Sequence, residues 1–80
     1  MSIETAVSVY PNPANDLLVI EMEKPLYNQL QIISMLGQVM LEKTISGTKA
    51  SLSVRQLVLG IYQVVLKGDN GVKVVKIEKL

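Results

Sequence analysis

Apolar side chains recur at every second position through most of this chain, in short runs cut by Gly, Asn, Asp and Pro. A period of two marks a strand with one face in a core. The breaks fall at intervals of roughly 8–12 residues, the spacing of a β-sandwich or small barrel. The pattern predicts a first strand at about 3–10 and a second at 17–22, with the turn "PNP" between them. A third, "NQLQIISM", covers 28–35 and turns at Leu36-Gly37-Gln38 into a fourth at about 38–45. In that fourth strand Val39, Leu41 and Ile45 are expected on one face, and Met40, Glu42 and Thr44 on a wet one.

After "SGTK" comes a short fifth strand, "SLSV", with Leu52 and Val54 inward. "RQLVL" at 55–59 is too short for a stable helix. It reads as an irregular crossover whose Leu57 plugs one end of the core. The sixth strand, "GIYQVVLK", sets Tyr62, Val64 and Leu66 against Ile61, Gln63, Val65 and Lys67. Asn70-Gly71 suits the positive φ angles of a tight hairpin. The seventh, "VKVVKIEKL", places Val75 and Ile77 on a face with Lys73 and Lys79, and Val72, Val74 and Leu80 with Lys76 and Glu78. Such mixed faces suit an edge strand whose lysines block edge-to-edge pairing and reach water on long stems. Seven short strands and no helix make an all-β, antiparallel sandwich.

Composition narrows the function more than it names it. Eighty residues form one domain, 1–80, small enough to bury only ~60–65% of its unfolded surface. Hydrophobic residues at 49% suffice for one core. A net charge of +1 gives no electrostatic basis for binding nucleic acid. Cysteine is absent, which excludes disulfides and thiolate metal sites. No apolar run approaches the ~18–20 residues of a transmembrane segment. The start, "MSIETAV", lacks the charged and apolar regions of a signal peptide. Met1-Ser2 is taken as the start of a piece excised from a larger protein.

No catalytic constellation emerges. Histidine is missing with cysteine, so the commonest general base, metal ligand and thiol nucleophile go together. Glu21 and Glu23 are expected to share a strand face, but acid–base catalysis needs carboxylates across a cleft with separated pKa values. Asp69-Asn70 lacks the further acids that a calcium loop sets at fixed offsets. The glycines form no phosphate-binding pattern. Aromatic residues amount to Tyr10, Tyr27 and Tyr62 alone, too few for a sugar- or base-stacking platform. Tyr62, just after Gly60-Ile61, is expected in the core with its hydroxyl at the rim. The chain is expected to be no enzyme and to need no cofactor or metal.

Four stretches in order carry a resemblance: "VYPNPAND" at 9–16, "QIISMLGQVM" at 31–40, "LSVRQLVLGIYQVVL" at 52–66 and "GVKVVKIEKL" at 71–80. Together they resemble the C-terminal sorting domain of cargo of the type IX (Por) secretion system, in its type A form from Gram-negative Bacteroidetes. The resemblance implies an immunoglobulin-like sandwich of about seven strands at the C-terminus of an exported protein. It implies passage through the periplasm, recognition by the outer-membrane translocon, and secretion or display at the cell surface. It further implies removal by a sortase-like peptidase, with the cleavage site ahead of the domain. By position, the family's motif residues fall on Pro11, Asn12 and Pro13, on Gly37, on Gly60 and Tyr62, and on Lys73, Lys76 and Lys79. Many members have adjacent lysines at the end, where this chain spaces them with apolar residues and Glu78.

Pro11 and Pro13 fix their own φ and favour extended Tyr10 and Asn12, so the first turn is stiff. The residues alone leave open whether that corner makes a turn or is read by the export machinery. The rival to sorting is an immunoglobulin-like adhesive or carbohydrate-binding accessory module, or a β domain with only a packing role. A terminal strand on so small a sandwich can also exchange between copies, giving a homodimer.

Overall fold

A computed structural model describes residues 6–69 and 71–80. Seven strands form: β1 (Val7–Tyr10), β2 (Leu17–Met22), β3 (Gln29–Ser34), β4 (Val39–Thr44), β5 (Lys49–Ser53), β6 (Gly60–Gly68) and β7 (Gly71–Lys79). Residues 3–5 of the expected first strand, the two residues before it, and Asn70 of the expected hairpin turn lie outside the described residues. The alternation read from the sequence gives the faces directly. Leu18, Ile20 and Met22 of β2, Leu30 and Ile32 of β3, and Tyr62, Val64 and Leu66 of β6 are all buried. Each large aliphatic side chain so buried contributes about 1.5–3 kcal/mol.

The strands form two antiparallel sheets, in the orders β1-β2-β5 and β4-β3-β6-β7. Pairing β2 with β5 while β3 pairs with β6 is the crossed connectivity of an immunoglobulin-like sandwich, with β4 attached beside β3. The inner faces meet over one core, which Ile77, Val54 and Leu57 complete. Leu57 closes one end of it from an irregular crossover, as expected. Tyr62 supplies the corner that such folds share: its ring is buried and its hydroxyl donates to the Val58 carbonyl at 2.7 Å.

Two expectations about faces fail. In β4, Val39 does not share a face with Leu41. Ile33 pairs with Val39 but Ile32 with Leu41, so a bulge places one extra residue, Met40, between them. An extra residue reverses the side-chain alternation beyond it. Val39 is therefore turned outward with Ile33, while Leu41 packs against the core. Glu21 and Glu23 form no strand pair either, because β2 ends at Met22. Glu21 instead accepts a hydrogen bond from the Tyr10 hydroxyl and pairs with Lys49 at 3.6 Å.

Candidate functional site

Strand direction sorts the connections into two ends. β1 and β5 finish, and β2 begins, at the end where β3 turns into β4, β6 starts and β7 stops. This end carries residues 11–16, the 35–38 turn, the 54–59 crossover and the C-terminal Leu80. Most of the motif residues gather there.

The Pro-Asn-Pro segment leaves β1 in one sheet and reaches the outer edge of β7 in the other. Both X–Pro peptide bonds, Tyr10–Pro11 and Asn12–Pro13, are cis. The Asn12 carboxamide then behaves as a piece of strand. Its Nδ2 donates to the Lys76 carbonyl at 3.2 Å, and its Oδ1 accepts from the Glu78 amide at 3.0 Å. Ala14 continues the pairing as a parallel bridge to Lys79. Its amide donates to the Glu78 carbonyl at 2.7 Å, and its carbonyl accepts from the Leu80 amide at 2.8 Å. An amide side chain offers one donor and one acceptor, like a peptide unit, so asparagine can satisfy an edge that proline cannot. The last half of β7 is thus covered on its open side. Since backbone groups alternate in direction along a strand, the outward groups of Val72 and Val74 have no such cover among the described residues.

Gly60 pairs with Lys79, and Tyr62 with Ile77, across the β6–β7 ladder. Gly60 has φ +150°, a conformation that side chains disfavour, at the point where the crossover enters β6. Gly37 sits in the β3–β4 turn at φ +87°. Its amide donates to the Ser34 carbonyl at 2.9 Å.

The lysines do not act alike. Lys73 lies towards the opposite end, opposite Leu66. Lys76 is exposed on the outer face, and its carbonyl is the one that Asn12 holds. Lys79 corrects the expectation of a row of solvated edge charges: it is only 6% exposed, with Nζ donating to the Leu80 carbonyl at 2.5 Å. It follows Ile77 on the inward face, and the Ala14 segment covers it from the open edge. Two contributors were not singled out from the sequence. Ala14 is wholly buried beside the motif, and its place directly after Pro13 was the available signal. Gly68 is the other: a Cβ there would overlap the Leu26 carbonyl. Nothing local in the sequence announces that contact.

Among the described residues no group of three or more acids could hold a metal ion. No helix of the described residues is long and apolar enough to cross a membrane. No curated protein matches the chain. The family model described as "Secretion system C-terminal sorting domain" matches residues 8–79. The match spans the four stretches that carried the resemblance except for Leu80, and it favours sorting over an adhesive or carbohydrate-binding module. The chain therefore belongs to the secretion system C-terminal sorting domain family, and it is a signal for type IX secretion that engages the type IX machinery and sends its protein to the cell surface or the medium.

Proposed function

We propose that the chain is a type A sorting domain from a Bacteroidetes protein, read in its folded form by the outer-membrane translocon after its cargo has reached the periplasm. A sortase-like peptidase then removes it from the cargo. The domain performs no chemistry of its own and takes no cofactor. It is an address and a substrate.

One observation carries this reading: segments far apart in sequence assemble around the last half of β7. Asn12 is bonded to residues 64 and 66 positions away, and Gly60 and Tyr62 pair with Lys79 and Ile77. A signal built this way exists only when the sandwich is complete, so recognition would also test folding. A homodimer made by exchanging β7 would re-form the same ladder between two chains, and sedimentation of the isolated domain distinguishes it from the monomer.

The test is a fusion of residues 1–80 to the C-terminus of a periplasmic reporter. Surface display is expected in a bacterium with a working type IX system, and periplasmic retention in a strain lacking the translocon. Equal display in both strains would end the translocon reading.

A further inference from the structure

We propose that the apolar tip formed by the 35–38 turn and the 54–59 crossover is the docking surface of this domain, and that its partner is a protein of the secretion machinery offering an apolar, uncharged recess. The proposal rests on the sorting function and adds where on the domain the partner sits and what chemistry it presents.

Among the described residues most of the exposed large apolar side chains lie at this end, with Val72 and Val74 of β7 apart from it. Leu36 is 96% exposed, Leu59 80%, Val58 72% and Met35 60%, and Leu80 adds to them. Large apolar groups scattered singly are normal on a surface, but a group drawn from separate segments and collected at one end marks a contact site. Folding does not require them. Leu57 does the crossover's packing, while its neighbours Val58 and Leu59 point to water. The β3–β4 turn closes through backbone bonds between Ser34 and both Gly37 and Gln38, which polar side chains at 35 and 36 would leave intact.

The tip is held in a fixed shape. The Tyr62 hydroxyl grips the Val58 carbonyl, Leu57 anchors the crossover, and the Leu57 amide donates to the Val54 carbonyl at 3.1 Å. A rigid apolar surface loses little conformational freedom on binding.

Charge and attachment choose the occupant. The loops of this end carry only Asp16 and Arg55, one of each sign. An anionic lipid surface or nucleic acid calls for a cluster of cations, which is absent from these loops. The chain enters the domain at the far end, where the Ala6 carbonyl accepts the Glu23 amide at 3.0 Å. A C-terminal domain has its cargo on that side. The tip therefore points away from the cargo and is the part free to enter a receptor.

The experiment compares reporter fusions carrying the wild-type domain, the triple variant Leu36→Gln, Val58→Gln and Leu59→Gln, and the far-end triple variant Glu23→Gln, Lys24→Gln and Lys49→Gln. The tip variant should melt with the wild type yet lose at least about tenfold in surface display, with reporter retained in the periplasm. The far-end variant should be exported normally. Should the tip variant melt early, Leu36→Gln alone, at the most exposed position, reads the same effect. Wild-type display of the folded tip variants overturns the proposal while leaving sorting intact. Sedimentation of the isolated domain as a dimer that the tip variant dissolves would assign the surface to a second copy, and overturn it. So would flotation of the wild type, but not the variant, with vesicles of phosphatidylethanolamine and phosphatidylglycerol. Display of the wild-type fusion in a strain lacking the translocon is a separate result: it removes the sorting reading itself.

Discussion

The two ends of this sandwich are built from the same kind of strand and yet are finished differently. At the far end, Glu23, Lys24, Lys49, Lys67 and Asp69 surround short connections. One of these, the β2–β3 connection, presses its Leu26 carbonyl against Gly68. At the tip the loops are almost without charge, and Met35, Leu36, Val58 and Leu59 face outward. Specific bonds hold the tip in shape, through the Asn12 carboxamide, the Tyr62 hydroxyl and the backbone of Ala14. Solubility needs account for the first end and not for the second. An end that exposes leucine while spending several hydrogen bonds on its own geometry is organised for contact.

The largest effect is expected in the core common to both ends. Ile77→Ala removes a side chain that is buried against both sheets, and should destabilise by about 2–5 kcal/mol in denaturant titration. Export should fall with it through misfolding. A stable Ile77→Ala domain that is not exported would instead extend the recognised surface along β7.

The glycines come next, and they separate the ends by cause. Gly68→Ala drives a Cβ into the Leu26 carbonyl, so backbone must shift, at about 1–3 kcal/mol. Gly60→Val meets open space but is strained by φ +150°, at a similar cost of about 1–3 kcal/mol. Both should lower the thermal midpoint. If Gly60→Val melts with the wild type, the tip does not need its backbone conformation, and recognition becomes the reason for the glycine.

Asn12→Ala is smaller, since exposed hydrogen bonds contribute about 0.5–1.5 kcal/mol each. Its sharper readout is local. Amide exchange of Glu78 should accelerate while that of Val64 in the β6 centre stays slow. Equal protection of Glu78 in both proteins would show that Asn12 does not hold the β7 edge.

Much of this was legible in the sequence, and the exceptions share a cause. Period-two patterning placed all seven strands and set Tyr62, Val64 and Leu66 of β6 on one face, which is the buried one. It also put Lys79 on the face of Ile77, so the signal for its burial was present, but charge argued for the surface. The bulge at Met40 was hidden because a single inserted residue leaves composition unchanged and only shifts parity. The Asn12 and Gly68 contacts join segments distant in sequence, and no local pattern encodes them. Motif resemblance named Asn12 without its partner. Only the assembled sheets supply that.

The lysines test whether the charge of β7 matters at all. Lys73→Gln with Lys76→Gln alters two exposed side chains and should shift stability by under ~1 kcal/mol. The notion of three equivalent charges is replaced by two exposed ones and a buried third, so Lys79 is changed separately. Wild-type export of the double variant would leave recognition to the tip, while a sharp loss would share it with the edge, because peripheral charges govern encounter more than folding.

The smallest effect belongs to the outer face of the β1-β2-β5 sheet, between the ends. The Tyr10 hydroxyl donates to Glu21, and this bond outweighs the opposing desolvation and, with lesser help from the charge and hydrogen bond of Lys49, holds the Glu21 carboxyl below its usual range. The same bond, with lesser contributions from desolvation and the Glu21 charge, pushes the Tyr10 phenol above its own. A carboxyl depressed by folding stabilises fully above its unfolded pKa, ~4.3, and that contribution is lost as pH falls through the lower folded value. A phenol raised by folding stabilises fully below its unfolded pKa, ~10, and loses that contribution as pH rises through the higher folded value. The pair therefore supports the fold between these limits and on neither side. Tyr10→Phe removes the bond and should flatten both slopes of denaturation midpoint against pH, with little change in export. Both groups are solvent-exposed, so screening keeps the effect small, and it should shrink further on adding salt where Lys49 contributes. A Tyr10→Phe profile that follows the wild type at both extremes would mean that water satisfies these groups equally well. A loss of export without a change in that profile would carry the recognised surface from the tip onto β1.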